Sequence, residues 1–156
     1  MTQPSDPRPQ PMAYLPGYVR QWLLDQPEVI ALLHGGTITT RNIPDPLKNP
    51  HVTVAVVGHA GGDPMLRRLI VQVTPWCPDS VATGLDEDPD VTVWNLGATI
   101  GELLGRAKNI VIDDAHAWSA SWIDGPIQLY DEKRGIDRVL YYAPVRFQIH
   151  LRRRKP

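Results

Sequence analysis

The residues in this sequence best suited to chemistry are two adjacent aspartates and a nearby histidine: Asp113, Asp114 and His116. A carboxylate beside an imidazole suits general acid–base catalysis, because the carboxylate orients the ring and stabilises its charged form. Four further histidines could complete such a site: His34, His51, His59 and His150. An alternative, structural interpretation is that these residues have no catalytic role. In that case the two aspartates form a turn and His116 lies on an exposed strand face. No motif connects these residues, so we favour the turn and predict no catalytic residue.

The sequence also lacks the usual patterns of metal, thiol and phosphate sites. It contains no HExxH or CxxC motif, and its single cysteine, Cys77, has no recognisable nucleophile setting. The glycine-rich run GHAGGDP (residues 58–64) could cradle a phosphate. Phosphate loops open a helix, however, whereas this run lies between two predicted strands, which favours a hairpin loop. We therefore predict no cofactor and no metal.

Large aromatic and polar side chains near the C-terminus indicate contacts with a partner. Trp118 and Trp122 share one face of a predicted strand, where they could stack on sugars or bases. Two tryptophans at this spacing more often pack in a core or a subunit interface. The candidate subunit or partner interface residues are Trp118, Trp122, Arg146, Gln148, His150 and Arg152. The final RRRKP is basic enough to contact DNA or an acidic partner, although short basic ends are usually solvated.

Length and composition predict one domain with two short extensions. The 156 residues give a formal net charge of -1, which provides no electrostatic argument for nucleic acid or an anionic membrane as a global partner. The single cysteine excludes an intrachain disulfide, and no signal peptide or long apolar span is visible, so we expect an intracellular origin. We predict a proline-rich arm at residues 1–16, a single domain at residues 17–152 and a basic end at residues 153–156.

The clearest element is an amphipathic helix predicted over residues 88–109. Acidic residues surround its start and basic residues its end, as the helix dipole favours. Gly97, Gly101 and Gly105 recur every four residues although each costs about 1 kcal/mol of helix propensity. We expect this stripe of glycines to let another backbone or a large aromatic ring approach the helix closely. The predicted apolar face consists of Val93, Leu96, Gly97, Ile100, Leu103, Leu104 and Ala107.

The remaining pattern predicts an α+β fold. A first helix runs to about residue 25, and Pro27 opens a short second helical turn. Alternating apolar residues predict strands at residues 37–43, 51–59, 67–76, 115–123 and the last part of 138–152. We expect two helices packed on one face of a four- or five-stranded, mainly antiparallel sheet, with the other face open to solvent or a partner.

The order of these elements resembles the tail terminator proteins of long-tailed (siphovirus-type) phages of actinobacteria, which are similar in architecture to the lambda tail terminator. The resemblance covers about residues 17–152. It rests on the segments YVRQWLLDQPEVIALL, TTRNIPDP, HVTVAVVGHAGGDP, RLIVQVTPW, VWNLGATIGELL and RFQIHLR. The proline-rich arm and the tryptophan-bearing hairpin depart from the pattern.

The resemblance implies a virion structural protein rather than an enzyme. Such proteins form a ring, usually of six copies, that binds the head-proximal end of the tail tube, stops its polymerisation and joins it to the head connector. The implied partners are the major tail tube protein, the head-completion or connector protein, and genomic DNA passing through the lumen without sequence-specific binding; no membrane is involved. The implied location is the virion neck, after assembly in the host cytoplasm. The alternatives are a head–tail adaptor or tail-completion protein, and a small α+β enzyme using Asp113, Asp114 and His116.

Overall fold

The computed structural model describes residues 13–40, 42–60, 66–132 and 139–153, and these form four helices and eight strands. The helices are α1 (Leu15–Leu24), α2 (Pro27–Leu33), α3 (Ser80–Thr83) and α4 (Pro89–Leu104). The strands are β1 (Ile38–Thr39), β2 (His51–Ala60), β3 (Leu66–Pro78), β4 (Ile110–Val111), β5 (His116–Asp124), β6 (Leu129–Asp131), β7 (Leu140–Tyr142) and β8 (Val145–Arg153). No helix in these ranges is long and apolar enough to cross a membrane.

All eight strands belong to one sheet with the order β1-β2-β3-β8-β5-β4. β7 also pairs with β3, and β6 pairs with β7. β1 is parallel to β2, and the other pairings are antiparallel. The predicted α+β class is confirmed, but the prediction of two helices and four or five strands is wrong. Its errors lie mainly in elements of two to four residues, which are too short to show a sequence period.

The core lies between one face of the sheet and helices α1, α2 and α4. The long strands alternate as predicted: β8 buries Val145, Phe147, Ile149 and Leu151, and leaves the intervening side chains on the other face. β2 and β3 pair antiparallel, as expected, although their predicted turn at residues 61–64 lies outside the described residues. The helix contribution to the core is Leu15, Val19, Leu23, Val29, Leu33, Leu96, Ile100 and Leu104.

Helix α4 lies on β5 as the glycine stripe predicts. A Cβ atom on Gly101 would lie 2.6 to 2.9 Å from three ring atoms of Trp122, and one on Gly105 would lie 3.1 Å from the Cβ of Trp122. The expected large aromatic neighbour is therefore Trp122. The helix is shorter than the predicted 88–109, because it ends at Leu104 with Gly105 as its C-cap.

Two details of the predicted helices differ from the structure. α1 begins at Leu15, two residues before the predicted start of the domain at residue 17, and Leu15 is buried. Thr92 lies outside the predicted apolar face of α4 but is buried, and its hydroxyl donates to Glu87 Oε1 at 2.8 Å and also contacts the Asp88 carbonyl oxygen. A hydroxyl satisfied in this way costs little to bury.

Candidate functional site

The sheet face that α1, α2 and α4 leave uncovered is referred to here as the outer face. Strands β3, β8 and β5 lie side by side on it, and their register sets its rows of side chains. Arg68, His150 and Ser119 form one row across the three strands. Ile70, Gln148 and Ser121 form the next row, and Gln72 lies opposite Arg146 beyond it. The outer face is thus predominantly polar, as the alternation of β8 predicts.

An ion pair orders one part of the outer face. Arg146 Nε donates to Asp124 Oδ1 at 2.9 Å, and Arg146 Nη2 donates to Asp124 Oδ2. The hydrogen bond from Arg146 lowers the pKa of Asp124, and the same bond raises the pKa of Arg146. This two-point contact fixes the plane of the guanidinium group against β5.

Positively charged side chains lie at the end of the outer face away from the Arg146–Asp124 ion pair. They line a cavity of about 340 Å³ that we call the basic pocket. Its lining residues are Arg68, Asn109, Ala117, Ser119, His150 and Arg152. Arg152 Nη2 donates to Asn109 Oδ1 at 3.0 Å, and the Asn109 backbone N–H donates to Ser119 Oγ at 2.9 Å. Asn109 has a φ of 53°, a left-handed conformation that asparagine tolerates better than most residues. These contacts hold the Asn109 amide between β5 and β8.

Aromatic rings occupy the opposite end of β3. The rings of Trp76 and Tyr142 stack with centroids 4.5 Å apart, and Trp76 Nε1 donates to Thr53 Oγ1 at 3.0 Å. The sheet therefore carries aromatic rings near the end of β3 and cations near its start.

The two tryptophans proposed for the interface do not belong to the outer face. Trp118 is 1% exposed and packs edge-on against Trp22, with ring centroids 6.1 Å apart, so it is a core residue and cannot contact a partner. Trp122 is 39% exposed, but its ring lies against Gly101 on the helix side of the sheet. The structure therefore places both tryptophans on the face opposite Arg146, Gln148, His150 and Arg152, and Trp118 belongs to the core.

The pair formed by Asp113 and His116 closes the turn between β4 and β5. Asp113 Oδ1 accepts from the backbone N–H groups of Ala115 (2.7 Å) and His116 (2.8 Å), and lies 3.1 Å from His116 Nδ1. These bonds lower the pKa of Asp113, and the bond from the Ala115 backbone N–H has the largest effect. The side chain of Asp114 makes no hydrogen bond or ion pair with either residue in the described structure. The predicted turn is present at Asp113, but His116 is only partly exposed and does not lie on an exposed strand face.

The other candidate histidines lie far apart in the fold. His34 is the C-cap of α2, His51 begins β2, and His150 lies on the opposite sheet face from His116. The side chain of His59 lies outside the described residues. Within the described ranges, no group of three or more His, Cys, Asp or Glu side chains could hold a metal ion.

Two buried titratable groups remain, and burial dominates the pKa of each. His51 is 2% exposed, its Nε2 lies 2.8 Å from Thr39 Oγ1, and burial lowers its pKa. Burial, with help from Glu87, raises the pKa of Cys77 to about 12, so the thiol stays protonated at neutral pH and is a poor nucleophile.

Arg68, Asn109 and Ser119 complete the basic pocket around His150 and Arg152 but were not predicted as site residues. Alternation places Arg68 on the polar side of β3, but only the register shows that it is opposite His150. A comparison with models of known protein families and a search of curated proteins found no match for this chain.

Proposed function

We propose that this protein is a phage tail terminator: a ring of identical subunits that caps the head-proximal end of the tail tube, stops its polymerisation and joins it to the head connector. The observation that carries the proposal is the uncovered outer face, spanning three long strands of the sheet. A subunit that folds alone and then assembles needs a preformed, largely polar surface for its neighbour, and the outer face has this character.

A second surface supports the same proposal. Large apolar side chains are concentrated and exposed between residues 122 and 130, where β5 ends and β6 begins: Trp122, Ile123, Ile127, Leu129 and Tyr130. Exposed apolar side chains concentrated in this way are typical of protein–protein contacts. A ring subunit meets its neighbours head to tail through two different patches, and it needs a further surface for the tube or connector.

The nearest rival is a head–tail adaptor or tail-completion protein, which would share the ring and differ in its partner. A terminator acts on the growing tube, whereas an adaptor binds the connector. The two functions are therefore separated by whether the protein changes tube growth.

The test is polymerisation of purified tail tube protein with and without this protein, followed by imaging of tube lengths. A terminator yields tubes capped at one end that do not lengthen at that end when more tube subunits are added. Tubes that keep growing at both ends, together with binding to purified connectors, would instead establish the adaptor.

One pair of variants links this activity to the outer face. Ser121→Arg adds a long cation to the middle of the outer face, whereas Ser80→Arg adds the same group to α3; both serines are exposed. We expect Ser121→Arg to lose capping and Ser80→Arg to retain it. Equal capping by both variants would show that the outer face is not a contact surface.

A further inference from the structure

The basic pocket holds positive charge that no described residue of its own subunit neutralises. The side chain of Arg68 makes no hydrogen bond or ion pair within the described residues, and the side-chain partner of Arg152 is the neutral amide of Asn109. The residues that line the pocket include no acidic side chain. Two guanidinium groups in one concave polar site attract carboxylate or phosphate groups, because each presents several N–H donors in a planar fork.

The same chain carries a complementary acidic run at Asp86, Glu87, Asp88 and Asp90, all exposed. Glu87 accepts a hydrogen bond from the Thr92 hydroxyl at 2.8 Å. The other three carboxylates have no hydrogen-bond or ion-pair partner in the described part of the chain, and Asp88 forms no side-chain cap although it is the N-cap residue. The helix dipole favours acidic residues in the first turn, but Asp86 precedes the helix by three residues.

These two charged features lie at opposite ends of α4. Three residues of the acidic run precede Pro89, and Asp90 lies in the first turn of α4. Asn109 follows Leu104 by five residues, and the intervening segment folds back on the helix end, where Lys108 Nζ donates to the Gly105 carbonyl at 3.2 Å. A helix of 16 residues is about 24 Å long. Attraction between charges in solvent is screened beyond about 8 Å at physiological ionic strength. Within one subunit, the acidic run and the basic pocket therefore cannot neutralise each other.

We propose that the basic pocket binds the acidic run of a second copy of this chain, so that adjacent subunits associate head to tail. The contact uses two different patches of the same chain and is therefore heterologous, which generates a closed ring when the rotation between neighbours closes. The inference rests on the proposed ring and identifies the contact that joins its neighbours. Arg68 and Arg152 receive carboxylates of the run, and Ser119 and His150 provide further polar groups in the same pocket.

The test uses charge reversal on each side of the contact, with matched controls. Arg152→Glu reverses one charge of the basic pocket, and Asp86→Lys reverses one charge of the acidic run. Lys48→Glu and Glu28→Lys make the same charge changes at exposed positions elsewhere. Assembly is followed by sedimentation velocity of the protein alone and by imaging of capped tubes. Arg68→Glu replaces Arg152→Glu if the latter melts at a lower temperature than the wild type.

The expected result is that Arg152→Glu and Asp86→Lys each weaken self-association by about tenfold or more, while both controls assemble like the wild type. An equal mixture of the two variants restores assembly, because in an alternating ring each altered patch meets the complementary altered patch of its neighbour. A residue with a merely structural role would not be rescued by mixing.

Three results would overturn the inference. Wild-type rings that persist in both variants would refute this contact and leave the ring proposal intact. A wild-type protein that neither self-associates nor caps tubes would refute both. If Arg152→Glu assembles normally but loses affinity for a DNA duplex that the wild type binds, the pocket is a phosphate site.

Discussion

At the scale of single residues, buried His51 links the stability of the fold to pH. Its imidazole contacts Thr39 at the junction of β1 and β2, and burial lowers its pKa. The unfolded chain binds a proton at this residue near the ordinary histidine pKa of about 6.5, whereas the folded chain resists protonation until a lower pH. The contribution of neutral His51 to the free energy of unfolding is therefore fully present above pH 6.5 and is lost as the pH falls through the folded-state pKa.

We expect His51→Gln to reduce this acid-dependent loss of stability. Glutamine keeps a polar group near Thr39 but does not titrate. Urea denaturation at pH 7.5 and pH 5 should show a smaller drop in the free energy of unfolding for His51→Gln than for the wild type. His34→Gln, at an exposed position, should keep the wild-type drop. If His51→Gln loses as much stability as the wild type, His51 does not cause the effect.

Gly101 shows how one residue combines a local cost with a tertiary gain. An alanine there would improve helix propensity by about 1 kcal/mol. Its methyl group would also lie within 3 Å of the Trp122 ring, and overpacking of this kind costs about 1–3 kcal/mol. We therefore expect Gly101→Ala to destabilise the wild type in thermal or urea denaturation.

The sign of that effect should reverse when the ring is removed. In a Trp122→Ala background, Gly101→Ala should stabilise by up to about 1 kcal/mol, because only the helix propensity remains. Stabilisation by Gly101→Ala with Trp122 in place would show that the ring does not press on the helix.

At the scale of elements, long periodic segments were predictable and short paired ones were not. β8 and α4 carry enough alternating or three-and-four spaced apolar residues to identify their buried faces. β1 was predicted too long, over residues 37–43, and β4 was not predicted; each has two residues and is held by pairing with β2 or β5. The basic pocket escaped prediction for a related reason. Arg68 and His150 are 82 positions apart in the sequence, and the register of β3 with β8 brings them together.

Adjacent leucines at the end of α4 test the orientation of the helix. Leu104 is 0% exposed in the core, whereas Leu103 is partly buried at its margin. Leu104→Asp places an unpaired carboxylate in the core and should unfold a domain whose total stability is about 5–15 kcal/mol. Leu103→Asp should cost about 1–3 kcal/mol and leave a cooperative melting transition, measured by circular dichroism. Equal effects of the two variants would contradict the assigned helix face.

At the scale of the whole molecule, the fold separates a helix-covered core from a surface available for assembly. The outer face, the exposed apolar segment at residues 122–130 and the acidic run before α4 are distinct surfaces of one subunit. In the proposed ring, the basic pocket on the outer face receives the acidic run of the next copy, and the apolar segment suits a tube or connector. A ring repeats each contact, so individually weak contacts combine into a stable assembly.

Because every contact proposed here serves a ring at the tube end, the most direct test is averaged electron-microscope imaging of tail tube ends after incubation with the purified wild-type protein. We predict a rotationally symmetric cap at one end of each tube and a bare opposite end. Tubes bare at both ends, with the protein remaining monomeric in the surrounding solution, would contradict the tail terminator account.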